Sequence, residues 1–161
     1  MKRMKKIMAV LLAAIMTMAM AVTAFAADTN KLTVNVKSAD GVPAQTLKGQ
    51  TIYLYKLFDV TESKKGETTN YAYTVNTADG YKTAIQSALG NSFTGTTDEE
   101  YAKAVFDLGA NDSENVQNFA NAFTTYALTN NVTATTNSGK LGDVTTYDFT
   151  NLAAGYYLVY V

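Results

Sequence analysis

The 161-residue chain contains no cysteine and no histidine, and only one proline, Pro43. Without cysteine there is no disulfide, no thiolate nucleophile and no thiolate metal ligand. Without histidine the commonest general base and the commonest transition-metal ligand are both missing. Ser-His-Asp, Cys-His and histidine-based zinc chemistry are therefore excluded by composition. What is left for an enzyme is a pair of carboxylates converging in a cleft, as in a glycosidase. The acidic residues instead fall mostly in loops and at helix starts, so no enzyme, no cofactor and no metal site is expected.

What is present begins with an address. Lys2, Arg3, Lys5 and Lys6 are followed by an almost unbroken apolar run over residues 7–20 and by the small-x-small triplet Ala24-Phe25-Ala26. These are the three parts of a secretory signal peptide, with cleavage expected between Ala26 and Ala27. The uncharged stretch 7–27 is nearly long enough to span a bilayer, but the Ala-x-Ala site favours cleavage over anchoring. The reading divides the chain into a leader, 1–26, and one domain, 27–161, exported through the Sec pathway. The leader holds four of the 13 basic residues and none of the 14 acidic ones, so the remainder has nine cations against 14 anions, a net charge of −5. That balance argues against nucleic acid and against membrane contact by the mature domain.

Within the domain the apolar pattern changes period twice. Residues 31–36 alternate, with Leu32, Val34 and Val36 on one face, and predict a strand. Residues 51–58 predict a second, with Ile52 and Leu54 alternating with Tyr53 and Tyr55. Residues 61–70 read as a polar loop and 71–75 as a short strand. Three helices then follow. The first is capped by Asp79, carries Tyr81, Ile85, Ala88 and Leu89 on one face and is closed by Gly90. The second opens on the capping box Thr97-Asp98-Glu99-Glu100 and carries Tyr101, Ala104, Val105 and Leu108. The third starts at Asp112 or Ser113 and buries Val116, Phe119, Ala120, Phe123 and Ala127. The Asn111-Asp112-Ser113-Glu114 cluster lacks the alternating oxygen ligands of a calcium loop and suits a helix cap better. Strands return over 132–136, 144–149 and 155–161. Strands, then helices, then strands predict a mainly β chain: an antiparallel sandwich with a helical insertion.

The last strand places Tyr156, Leu158 and Tyr160 on one face and Tyr157, Val159 and Val161 on the other, so both faces should be buried. Termini are usually frayed and polar. A core strand at the very end leads us to expect that the sequence is the front part of a longer protein.

Three segments resemble one family when taken in order: Leu32-Thr33-Val34-Asn35-Val36-Lys37, Thr51-Ile52-Tyr53-Leu54-Tyr55-Lys56-Leu57, and the stretch from Tyr147-Asp148-Phe149 through Asn151-Leu152 to Gly155-Tyr156-Tyr157-Leu158-Val159. Following a signal peptide, they are similar to the N-terminal domain of Gram-positive, sortase-assembled fimbrial subunits (pilins). The resemblance implies an Ig-like fold of the collagen-adhesin B type and a cell-surface, wall-attached protein. It implies covalent coupling by sortase to other pilin subunits, in support of adhesion and colonisation. The alternative is a non-polymerised Ig-like adhesin that binds host protein or glycan. The pilin lysine motif and the Leu-Pro-x-Thr-Gly sorting signal do not occur in the sequence and are expected downstream of Val161.

The resemblance also implies an internal Lys–Asn or Lys–Asp isopeptide bond, closed with loss of one ammonia or one water. Lys37 occupies the family's lysine region and is the candidate nucleophile. Such an amine must be buried and deprotonated to attack. The parity of Leu32, Val34 and Val36 turns Lys37 outward unless a bulge shifts the register. Val161 stands where the family's assisting carboxylate is expected, which leaves Asp148 as a weaker stand-in. The eleven tyrosines are mostly at core positions; Tyr71, Tyr73 and Tyr81 are the set that could be exposed together and bind a sugar.

Overall fold

The computed structural model describes residues 30–36, 45–65, 67–111 and 113–161. Among them, β1 (Leu32–Asn35), β2 (Thr51–Lys65) and β3 (Thr68–Val75) precede α1 (Tyr81–Leu89), α2 (Asp98–Phe106) and α3 (Glu114–Thr129). The strands β4 (Thr136–Lys140), β5 (Thr146–Phe149) and β6 (Gly155–Tyr160) follow. The leader, Ala26, Ala27 and Lys37 lie outside the described residues.

β2 is the axis of a four-stranded antiparallel sheet. Phe58 pairs with Val75 of β3 and with Tyr156 of β6; Tyr53 pairs with Asn137 of β4 and with Tyr160 of β6. A strand residue has only two hydrogen-bonding edges, so β4 and β3 succeed each other along one edge of β2 and β6 takes the other. β1 and β5 form a separate antiparallel ribbon, with Leu32 opposite Phe149 and Val34 opposite Tyr147.

Period-two alternation sends the central strands' side chains into two cores. Ile52 and Leu54 of β2 and Tyr157 and Val159 of β6 pack with Leu32, Val34, Leu47 and Phe149 between sheet and ribbon. Tyr55 and Leu57 of β2 and Leu158 of β6 face the helices, with Tyr53, Tyr156 and Tyr160 partly buried beside them. A register shift between Lys56 and Phe58 turns Phe58 to the helix side as well. The β2–β6 centre of the sheet is thus covered on both faces, as the alternation in residues 156–161 predicts. Gly155 opens β6 because nothing larger fits. A Cβ there would lie 2.7 Å from the Phe58 carbonyl oxygen and 2.7 Å from the Lys56 side chain.

The helices build the other layer. Val116, Phe119, Ala120, Phe123 and Ala127 of α3 are all buried, and Phe123 sits edge-on to Tyr55 with ring centres 5.4 Å apart. Thr97 and Glu100 form the expected capping box on α2, and the Ser113 hydroxyl accepts from the Val116 N–H at the start of α3. Asp112, the other candidate start, is outside the described residues. The chain is therefore a mixed α/β structure: two antiparallel sheets face each other across one core, and three helices close a second.

Three expectations need correction. The residue capping α1 is Gly80, not Asp79; its φ is +82°, and a Cβ there would come within 2.7 Å of Val132. Only glycine combines that backbone angle with so close an approach. Within the polar stretch 61–70, residues 61–65 and 68–70 are no loop but a continuation of the β2–β3 ladder, in which Thr61 faces Ala72 and Ser63 faces Asn70. Its threonines favour extended backbone even where both faces are wet. Lastly, β4 lies at 136–140, not 132–136. Thr133 is held by the Tyr81 hydroxyl, which donates to its carbonyl at 2.9 Å, and the Thr135 hydroxyl takes the Lys56 N–H at 2.9 Å. Side-chain bonds there occupy the place of a ladder.

Candidate functional site

Asp148 lies on the outer face of the β1–β5 ribbon, because its neighbours Tyr147 and Phe149 pack inward against the sheet. Its carboxylate accepts from the Thr33 hydroxyl at 2.6 Å and from Lys31 Nζ at 3.2 Å, with the side chain still 42% exposed. The Thr33 hydroxyl, and after it Lys31, hold the Asp148 carboxyl below the usual carboxylate range. Lys37, the candidate nucleophile, and the cleavage residues Ala26 and Ala27 lie outside the described residues, so of the two isopeptide candidates only Asp148 is described.

The tyrosine set divides. Tyr81 is buried, not exposed: it packs against both Tyr55 and Phe123 with ring centres 6.2 Å from each. Tyr71 and Tyr73 do reach the surface, 43% and 38% exposed. Their positions follow from the ladder. Val75, Tyr73 and Tyr71 are on one face of β3; Val75 is under the helices, and the two tyrosines stand where the hairpin outruns that cover.

α2 flanks this overhang, and between it and β3 lies a groove of about 660 Å³. Phe58 and Tyr156 line it, their rings edge-on at 6.3 Å. Burial, and then the nearby Tyr73, push the Tyr156 phenol above its ordinary range. Tyr71 and Tyr73 form the strand side of the groove; Ala102, Val105 and Phe106 form the helix side. Phe106 is 71% exposed, at the end of α2 and off its buried Tyr101–Val105 stripe. Asp98, Glu99 and Lys103 add charge along the rim. Chemically this is a surface suited to flat or apolar groups. Among the described residues there is no metal-holding cluster of acidic side chains, and no helix long and apolar enough to cross a membrane.

Sequence reasoning singled out Tyr71 and Tyr73 but missed Phe106, Tyr156 and the α2 acids. One signal is present for Phe106: a large aromatic next to the helical stripe, with only the alanines Ala102 and Ala110 at helical spacing, lies off the face that enters the core. Comparison with protein-family models and with curated proteins returns no match for the chain.

Proposed function

We propose that the protein is a structural subunit of a covalently assembled cell-surface pilus, exported by its leader, attached to the cell wall and supporting adhesion and colonisation. The fold in this reading is an Ig-like sandwich of the collagen-adhesin B type. One observation carries it. The three segments that resemble the fimbrial subunits are far apart in sequence, yet their inward residues share a single core. Leu32 and Val34 come from the first, Ile52 and Leu54 from the second, and Phe149, Tyr157 and Val159 from the third. A chance likeness in three separate strands would not require them to pack on one another. The antiparallel pairing throughout and the two facing sheets support the same architecture.

The test is a denaturing gel of wall-digested Gram-positive cells expressing the gene, probed with antibody to residues 27–161. A ladder of bands spaced by one subunit, lost on deletion of the cognate sortase, is expected. A single band of monomer mass in wall and medium alike would overturn polymerisation. The aromatic groove favours a second reading, a wall-anchored adhesin that is not polymerised, which would give that single band in the wall fraction.

A further inference from the structure

Five large apolar residues are exposed among the described residues: Tyr71, Tyr73, Phe106, Leu128 and Val144. The first three line the same groove. Scattered surface hydrophobes need no explanation, but a contiguous aromatic patch in a concavity marks a binding surface. Its charge says what fits. Lys103 is answered by Asp107 at 2.6 Å on the same helix. No salt bridge among the described residues engages Asp98 or Glu99. Glu100, the next residue, turns its carboxylate back to the Thr96 and Thr97 N–H groups. The two rim carboxylates, Asp98 and Glu99, outweigh the roughly half positive charge that the start of α2 contributes, on which Glu100 is already seated. The rim is therefore anionic and the walls are aromatic.

From this we propose that the α2–β3 groove binds an extended, arginine-bearing peptide segment of a partner protein. A guanidinium satisfies both features at once, because it stacks on aromatic faces and pairs with carboxylates through a planar fork. An anionic ligand is repelled, and a neutral sugar leaves the carboxylates without a charge partner. Extension follows from the strand side. Tyr71 and Tyr73 are two residues apart on β3, a border strand of the sheet. Their spacing of roughly 6.8 Å equals that of alternate side chains on an extended peptide. The inference is independent of the pilus reading: it holds for a shaft subunit or a lone adhesin, and the gel test does not bear on it.

The test is fluorescence anisotropy of labelled hexa-arginine and, in a separate titration, of labelled hexa-glutamate against the full secreted chain, with maltohexaose as competitor of the former. Saturable binding to hexa-arginine is expected, weakened by salt and unaffected by maltohexaose, with no saturable binding of hexa-glutamate. Phe106→Ala leaves net charge unchanged and removes a ring that is 71% exposed, so the fold should survive. It should weaken binding by about fivefold or more. The double variant Asp98→Asn, Glu99→Gln should weaken it by about tenfold or more. Asp143→Asn, in the loop beside Lys48, should change it by less than about twofold, the size of a screened surface effect. Absence of saturable binding would overturn the proposal. So would an unchanged Phe106→Ala, an Asp143→Asn as damaging as the groove variant, or displacement of the peptide by maltohexaose, which would make the groove a sugar site.

Discussion

Tyr157 shows how one residue ties its strand to pH. It is buried between sheet and ribbon, and its hydroxyl donates to the Ala153 carbonyl at 2.8 Å. Burial, and after it the charge of Asp59, push its phenol from 10.0 up to about 12. The native state therefore keeps the proton where the unfolded chain has lost it. Stability from this group is complete below pH 10 and is lost as pH rises through the interval to about 12. Tyr157→Phe should be less stable than the parent at pH 7 by about 0.5–1.5 kcal/mol, the net value of one hydrogen bond. Above pH 10 that gap should close, because only the parent has this phenol to ionise. Denaturant melts of both proteins across neutral and alkaline pH measure it; a gap that stays constant to pH 12 would refute the assignment.

At the scale of elements, α2 is the helix whose start was written most plainly. The Thr97 hydroxyl accepts from the Glu100 N–H at 3.3 Å, and the Glu100 carboxylate accepts from the Thr97 N–H at 2.9 Å and the Thr96 N–H at 2.8 Å. Thr97→Ala should cost about 1 kcal/mol, read as a shift of the urea midpoint without change of slope. The backbone N–H bonds from Thr97 and Thr96 hold the Glu100 carboxyl below its ordinary range. Their contribution is therefore present above the unfolded carboxylate range and is lost as pH falls through the folded one. Glu100→Gln should accordingly lower the urea midpoint at pH 7 and approach the parent in acid.

What could be read from the sequence follows the range of the interactions involved. The capping box, the α3 stripe and the two-faced β6 are set by residues within a few positions of one another, and all are found where the pattern places them. Gly80 replaces Asp79 as the cap because Val132, distant in sequence, leaves no room for a side chain. β4 slides to Thr136–Lys140, a segment of low strand propensity, because Tyr81 and Lys56 bind the backbone and side chains just before it. The groove is harder still to foresee. Tyr71, Phe106 and Tyr156 come from three elements, and only the seating of α2 beside β3 brings them together. No local pattern encodes that seating.

For the whole molecule the decisive feature is that β2 and β6 serve two cores. Phe123 closes the helix side and Val34 the ribbon side, each fully buried and in separate clusters. If the layers were independent, loss of one would leave the other folded. The shared strands forbid this: Leu54 and Val159 cannot keep their places against the ribbon once Tyr55 and Leu158, their chain neighbours, lose the helices. Phe123→Ala should cost about 3–5 kcal/mol, from lost transfer energy and the cavity left behind. Val34→Ala should cost less, about 1.5–3 kcal/mol at most, for the smaller side chain. The two substitutions should nevertheless move one and the same transition. Far-UV dichroism, which follows the helices, and near-UV dichroism, which follows the tyrosines of both cores, should coincide in each variant. Separate midpoints for the two probes in Val34→Ala would mean that the β1–β5 ribbon comes off first, and that the sheet is not the single cooperative axis its pairing implies.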